Sequence, residues 1–493
     1  MSSRKSNLGT SIAVYAASNI LVLAAGLISF PITTRLLSSA EFGVLSFWEA
    51  GLLVLVAILK LGASDGAMRF YPHTSDPLSH SRYATNIVLT PALLGLVGWV
   101  GVVLLVLIAG QCKWLEHPEV ALVASLQVLP LAWAALAFRV IQAREQAASN
   151  ALLSVTWRWL TVGATLTALL WISPTAQSVL VAKLIVHVLI VGLLLWWLLP
   201  TLQFSRQSVD RAQITEGLHY GFPLALMELS NIGLWYVDRF MMKWLVNDYA
   251  VIGIYSIGFA LASYIDQLLS TALSQALTPV TTRVYATEGA DAVRVVKRRV
   301  LKPVIYICAA IGTGVILVGH DFLTLLASSS KAAATPVFIV MGLFFLIKTV
   351  VWTCADGLLL QKKSRIVFGL TVGAAIFNAV ANIILIPLFG MMGAVYATGI
   401  SLVLLQLLFF YHCPSELRVT PDRALVLKAV GAGLLCWVIG DATALFGMNH
   451  PLSRLATGSA WVLACFLLVA LTDPDLRKAA QGIRERLTAR FIC

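Results

Sequence analysis

The sequence predicts an all-α integral membrane fold of about 14 transmembrane helices, with the N- and C-termini cytoplasmic. Three observations carry this expectation. Fourteen long apolar stretches follow one another along the 493 residues, each close to the length of about 20 residues that spans a bilayer. Hydrophobic residues make up 59% and charged residues 12%, with a mean hydropathy of +0.87, far from the roughly 25% charged content of soluble domains. Finally, 25 of the 35 Lys and Arg residues gather at alternate ends of the apolar stretches, as the positive-inside bias requires.

The expected spans are 11–34, 44–70, 86–109, 120–141, 151–172, 178–199, 217–237 and 252–280. They continue at 304–326, 335–360, 366–388, 392–411, 424–446 and 455–471. The first is too long for a signal-peptide core, contains Pro31 and lacks a small-residue exit, so it reads as an uncleaved span. Helices are the only open-chain solution in lipid, where a free backbone N–H or C=O finds no partner. The polar connections are short and leave no room for a soluble domain. The net charge of +12 is spread over these loops, which is a topology signal and not a nucleic-acid stripe.

Motifs exclude several chemistries. There is no G-x-x-x-x-G-K-[ST] nucleotide loop. The eight histidines and seven cysteines show no ligand spacing, so no metal site and no other cofactor is expected. No outer loop is long enough for a catalytic domain, so the chain is not expected to be an enzyme.

The informative residues are charges inside apolar stretches, because a charge at the bilayer centre costs on the order of 3 kcal/mol and usually faces a wet interior. Glu228, Asn231 and Asp238 recur with Trp235 at i, i+3, i+7 and i+10 and share a helical face. A polar seam between helices is the bland alternative; a midplane Glu favours a cavity. Ser256, Ser263, Gln267, Ser270 and Ser274 form a second stripe beside Asp266, read as a water-lined wall in preference to close packing. Asp65 and Arg69 are placed i, i+4 with the acid first, the favourable order for a local pair. Lys60 lies deeper in the same span. Arg158 and Lys183 sit a few residues inside their spans, where snorkelling competes with ligand binding. Lys348, Trp352 and Asp356 share a face near the middle of the tenth span. Carboxylates of such a lumen suit ion coupling, and its guanidinium groups suit phosphate.

A short repeat accompanies these residues. Arg35 precedes Glu41-Phe42-Gly43-Val44-Leu45-Ser46, and Arg239 precedes Ile252-Gly253-Ile254-Tyr255-Ser256. Six spans separate the two, so the halves would share an orientation, as parallel transporter repeats do.

Together with Leu61-Gly62 to Arg69-Phe70-Tyr71, Tyr220-Gly221-Phe222-Pro223-Leu224, Asp238-Arg239-Phe240, and the run from Asn378 through Asn382 to Ala394, the chain resembles the polysaccharide biosynthesis and lipid-linked oligosaccharide flippases (Wzx-type). These belong to the superfamily of multidrug and polysaccharide exporters. The resemblance covers about residues 10 to 412. It implies two six-helix lobes, 1–212 and 213–412, two extra helices in 424–472, and a basic cytoplasmic tail at 473–493. It further implies alternating-access translocation of a polyprenyl-diphosphate-linked glycan across the bacterial inner membrane, for exopolysaccharide or O-antigen assembly. Membrane lipid, a polysaccharide polymerase and a co-polymerase are the implied partners, with no nucleic acid. Arg35, Arg69 and Arg239 match the family's basic positions; Glu41 and Asp238 match its acidic ones. The acid-rich lumen leaves a second reading open, a cation-coupled small-molecule antiporter of the same superfamily.

Overall fold

The computed structural model describes residues 8–74, 76–444 and 450–472, and all regular structure within them is helical. Seventeen α-helices run α1 (Leu8–Leu36), α2 (Ser39–Lys60), α3 (Ala63–Arg69), α4 (Pro77–Arg82), α5 (Thr90–Gln111), α6 (Pro118–Ala143), α7 (Ala147–Trp171), α8 (Ala176–Leu198) and α9 (Arg211–Leu245). They continue as α10 (Tyr249–Asp266), α11 (Ala272–Glu288), α12 (Ala290–Ala327), α13 (Thr335–Ala355), α14 (Ser364–Phe389), α15 (Met391–His412), α16 (Arg423–Ala444) and α17 (Pro451–Thr472). Two π-helical segments, Tyr83–Leu89 and Gln267–Thr271, join α4 to α5 and α10 to α11 into continuous rods. Every expected span has its helix. Arg4, Lys5 and the basic tail at 473–493 lie outside the described residues.

Among the described residues, twelve stretches are long and apolar enough to cross a bilayer by length and composition, so this is a multi-pass membrane protein. The two remaining long helices, α7 and α9, have 25 and 35 residues, about 37 and 52 Å at 1.5 Å per residue. They are the more polar ones: α7 carries Arg158, and α9 carries Glu228, Asn231, Asp238 and Arg239. Apolar side chains such as Val97, Leu104 and Leu105 on α5 face outward, the reverse of a soluble protein, because lipid is as apolar as a core.

The chain divides into two compact units, residues 1–253 and 254–493. In the first, α1 packs on α7, α6 on α8, and α2 on α5, α6 and α8. Leu37, Val44, Val120, Val179 and Leu180 form one core cluster; Tyr83, Ile87, Leu136 and Val140 form another. Helix α9, with which the expected 213–412 lobe begins, packs here against α2 and α3. Two caps fix helix starts. Ser38 Oγ accepts the Glu41 N–H at 3.1 Å, and a Glu41 carboxylate oxygen accepts the Ala176 N–H at the start of α8 at 2.6 Å.

One expectation is corrected here. The span at 44–70 is not one helix: α2 ends at Lys60, and Leu61 and Gly62 take positive φ (50° and 70°) before α3 begins. A Cβ on Gly62 would lie 2.0 Å from the Gly221 carbonyl oxygen. The break is therefore pressed against the α9 backbone, and only glycine fits. The repeat glycines serve the same purpose. A Cβ on Gly43 would meet Tyr249 O at 1.8 Å, and one on Gly253 would meet Ser39 O at 1.8 Å.

In the second unit, α13 packs on α12 and α15, α14 on α15, and α16 and α17 both on α12. Leu301, Ile305, Tyr306, Ala429, Cys436 and Phe466 make the core that seats the last two helices. Arg454 on α17 adds an ion pair to Asp321 on α12 at 2.6 Å.

Candidate functional site

Within the first unit, a cavity of about 830 Å³ opens where α2 ends, α3 begins, α6 ends and the first half of α9 passes. Its walls carry Lys60, Ser64, Asp65, Met68 and Arg69 from α2 and α3, Phe138, Arg139 and Gln142 from α6, and Tyr220, Glu228 and Asn231 from α9. These α2, α3 and α6 ends are the ones that the positive-inside bias assigns to the cytoplasm.

The helix break lies at the cavity: α2 ends at Lys60 and α3 restarts at Ala63, and Lys60 lines the same cavity as Ser64, Asp65, Met68 and Arg69 of α3. Lys60 Nζ donates to Glu228 Oε1 at 2.6 Å, with the Lys side chain largely covered and the Glu side chain about one-third exposed. Asn231 Nδ2 donates back to Met227 O at 3.0 Å, which leaves its amide oxygen on the cavity side of α9 available to accept.

Asp65 departs from the local pairing that its spacing suggests. It joins Arg139 of α6 at 3.2 Å, and Arg139 also donates to Gln142 Oε1 at 3.1 Å. The turn of α3 that presents Asp65 to α6 sends Arg69 elsewhere. Arg69 is exposed, lines the cavity and has no hydrogen bond or ion pair among the described residues. Tyr220, in edge contact with Phe70 at 5.7 Å, closes the wall beside it. The cavity thus holds three cations (Lys60, Arg69 and Arg139) against two carboxylates (Asp65 and Glu228). A guanidinium with no carboxylate of its own among the described residues has the geometry to hold an anion by paired, charge-assisted bonds.

The other expected site residues lie elsewhere. Arg239 and Asp238 are buried and paired at 2.9 Å, and Arg239 Nε donates to Ser46 Oγ at 3.0 Å and Nη1 to Trp235 O at 3.2 Å. That leaves them outside the cavity wall. Arg35 lies in the last turn of α1 and is exposed. Lys183 forms an ion pair with Glu49 of α2, while the buried Nε of Arg158 has no partner among the described residues.

In the second unit, Lys348 and Asp266 pair at 2.8 Å, and Ser270 Oγ donates to Asp266 at 2.6 Å and shares a 2.8 Å bond with Thr349. The π-helical turn at 267–271 interrupts the expected serine stripe. Ser256 is buried and Gln267 is exposed, so the residues do not form a uniform wet wall. Asp356 also leaves the expected helical face, because α13 ends at Ala355 and Asp356 is its cap at ψ 102°.

Arg139, Gln142 and Met68 line the cavity without standing out as site residues in the sequence, and Tyr220 stands out there only as part of a family motif. Arg139 counts as a topology residue from its place at a helix end. Its one legible hint is Gln142 at i+3, a polar neighbour on the same face.

Comparisons agree with this architecture. Residues 8–285 match the family model described as polysaccharide biosynthesis protein. The probable flippase AglR of Haloferax volcanii is 23% identical over 269 residues. That match covers 53% of this chain and 56% of AglR, so the chain spans little more than half the length of that relative. In fold, the chain is similar to the lipid II flippase MurJ in an inward closed conformation, with a TM-score of 0.75 and 12% identity over 93% of this chain and 98% of that one. An inward-facing multidrug resistance MATE transporter of the MOP superfamily gives a TM-score of 0.63 at 15% identity, over 81% of this chain and 96% of that one. The match over more than half its length makes this chain a member of the polysaccharide biosynthesis protein family.

Proposed function

We propose that this protein is a flippase that carries polyprenyl-diphosphate-linked oligosaccharide repeat units across the cytoplasmic membrane by alternating access, for polysaccharide assembly. The observation that carries the reading is the cavity at the α2–α3 break, in which Arg69 stands beside two ion pairs with no carboxylate partner among the described residues. A diphosphate brings the anionic oxygens that a guanidinium holds by paired, charge-assisted bonds. The pairs Lys60–Glu228 and Asp65–Arg139 hold two further cations in place without burying unpaired charge. A diphosphate entering beside Arg69 would compete with the carboxylates for these cations, which couples binding to a rearrangement of α3, α6 and α9. The lipid tail would remain in the bilayer while the polar part crosses. Membership of the polysaccharide biosynthesis family and likeness to a probable flippase support this choice of cargo.

The test is a reconstituted assay in which a fluorescent polyprenyl-diphosphate oligosaccharide becomes accessible to a membrane-impermeant quencher. Arg69→Ala should slow translocation tenfold or more, since a lost hydrogen bond to a charged group is worth about 1.5–3 kcal/mol. Undiminished translocation by a well-inserted Arg69→Ala protein rejects the diphosphate role of the cavity. Proton-driven efflux of a cationic dye, lost in Glu228→Gln and without glycan movement, would establish the antiporter reading instead.

A further inference from the structure

A second polar recess lies in the second unit, on the side that the charge bias assigns to the cytoplasm. It has a volume of about 460 Å³ and is bounded by α12, the chain at 419–422 and the first turns of α16. From α12 come Arg298, Leu301, Lys302 and Tyr306, at spacings of 3, 4 and 8 from Arg298 that put them on one face. Lys428 faces them from α16. Asp422, the one acid among the described lining residues, accepts the Ala424 N–H at 3.0 Å as the cap of α16. The recess therefore presents Arg298 and Lys428, neither of which has an ion pair among the described residues, against a carboxylate already engaged with backbone.

Its wall is prebuilt. Arg294 donates to Ser415 O at 2.7 Å, the fully buried Lys297 donates to Leu417 O at 3.0 Å, and Val419 N–H donates to Cys354 O at 3.2 Å. These bonds fix the segment that leads into 419–422. The floor belongs to a packed apolar cluster containing Leu301, Tyr306 and Leu425. Below Lys428, α16 shows Leu427, Val430, Leu434 and Val438 outward, all more than half exposed, at 3, 7 and 11 residues from the first. That face is an apolar stripe on the same helix, about a third of a turn round from the recess-lining Ala424 and Lys428.

We propose that this recess seats the phosphate headgroup of an anionic phospholipid of the cytoplasmic leaflet, with the acyl chains lying along the stripe of α16. Basic pockets between transmembrane helices on this side recognise such headgroups. A soluble phosphate shares the chemistry at the cations but gains nothing from Leu427, Leu434 and Val438. The bound lipid would tie α16 to α12, independently of the cavity in the first unit.

The test uses the full chain in detergent and follows binding of dioctanoyl phosphatidylglycerol by native mass spectrometry. Dioctanoyl phosphatidylcholine and inorganic phosphate are the comparison ligands. Phosphatidylglycerol should bind in preference to phosphatidylcholine, and millimolar phosphate should not displace it. The double variant Arg298→Gln with Lys428→Gln should weaken binding about thirtyfold, from two basic groups at the headgroup. The charge-matched control Arg299→Gln with Lys363→Gln, both exposed and outside the recess, should stay within about twofold, as surface charge at a distance is screened. Lys428→Gln alone reads the same loss at smaller size should the double variant fold poorly. Equal losses in recess and control variants would overturn the proposal, as would phosphatidylcholine binding equally well. Inorganic phosphate binding as tightly as the lipid would assign the recess to a soluble anion and reject the lipid.

Discussion

Lys60 at the last residue of α2 and Glu228 in the middle of α9 meet at 2.6 Å, joining two helices whose charges stand 168 residues apart in sequence. Lys60 is still within α2, and the Leu61–Gly62 break follows it directly, so the contact stands at the point where α2 gives way to α3.

Removing one member of this pair leaves the other charge partly buried. Lys60→Met and Glu228→Gln are each expected to cost about 1–2 kcal/mol, below the 3–5 kcal/mol of a fully buried pair because Glu228 is one-third exposed. The double variant should recover part of that loss. Thermal melting of the purified proteins measures it, and additive single-variant losses would show that the two groups do not interact.

Gly62 should tolerate no side chain. Gly62→Ala combines a left-handed φ of 70° with a 2.0 Å approach to Gly221 O, so a loss of about 3 kcal/mol or failure to insert is expected. Gly101→Ala on α5, with nothing within 4 Å of the added methyl, should be neutral or slightly stabilising. The yield of folded protein in membranes separates the two.

Arg239 and Asp238 answer differently from cavity residues. From the sequence, Arg239→Ala is expected to abolish export while insertion stays intact. The buried pair with its bonds to Ser46 and Trp235 changes that expectation. Asp238→Asn and Arg239→Ala should each lower stability by about 3 kcal/mol, with transport per folded molecule falling less than in Arg69→Ala. A stable Arg239→Ala protein that inserts normally and does not transport would return Arg239 to the substrate path.

Asp266 and Lys348 provide a counterpart in the second unit. Lys348→Met alone should destabilise strongly, since Asp266 is buried and Ser270 is its one other partner among the described residues. Lys348→Met with Asp266→Leu should regain most of the stability and at least half of the transport. Recovery of stability with transport still abolished would instead mark the pair as part of the coupling machinery.

Much of the cavity was legible, and the reason is periodicity. Glu228 and Asn231 were found as polar interruptions of an apolar helix, and both line the wall. Lys60 and Arg69 follow from the same reasoning. The i, i+4 spacing of Asp65 and Arg69 describes one helix surface, while the partner Asp65 takes, Arg139, approaches from another helix. A basic residue at a helix end looks the same in sequence whether it anchors topology or faces a cavity, as Arg139 does. The serine stripe from Ser256 assumes one regular helix, and the π-helical turn at 267–271 shifts the faces beyond it.

Hydropathy, the placement of 25 basic residues and a few glycine-containing motifs determined that this is a many-helix membrane protein, and also to which family it belongs. Each of these signals is local, repeated or additive, so it survives without knowledge of the fold. Which charges meet was decided only in three dimensions. Gly62 and Gly221 let backbones approach, Lys60 and Asp65 meet partners on other helices beside the α2–α3 break, and burial closes Arg239 onto Asp238. In lipid an unpaired charge is costly, so each takes the nearest partner that helix packing provides, and Arg69 is the cavity cation that packing left open among the described residues.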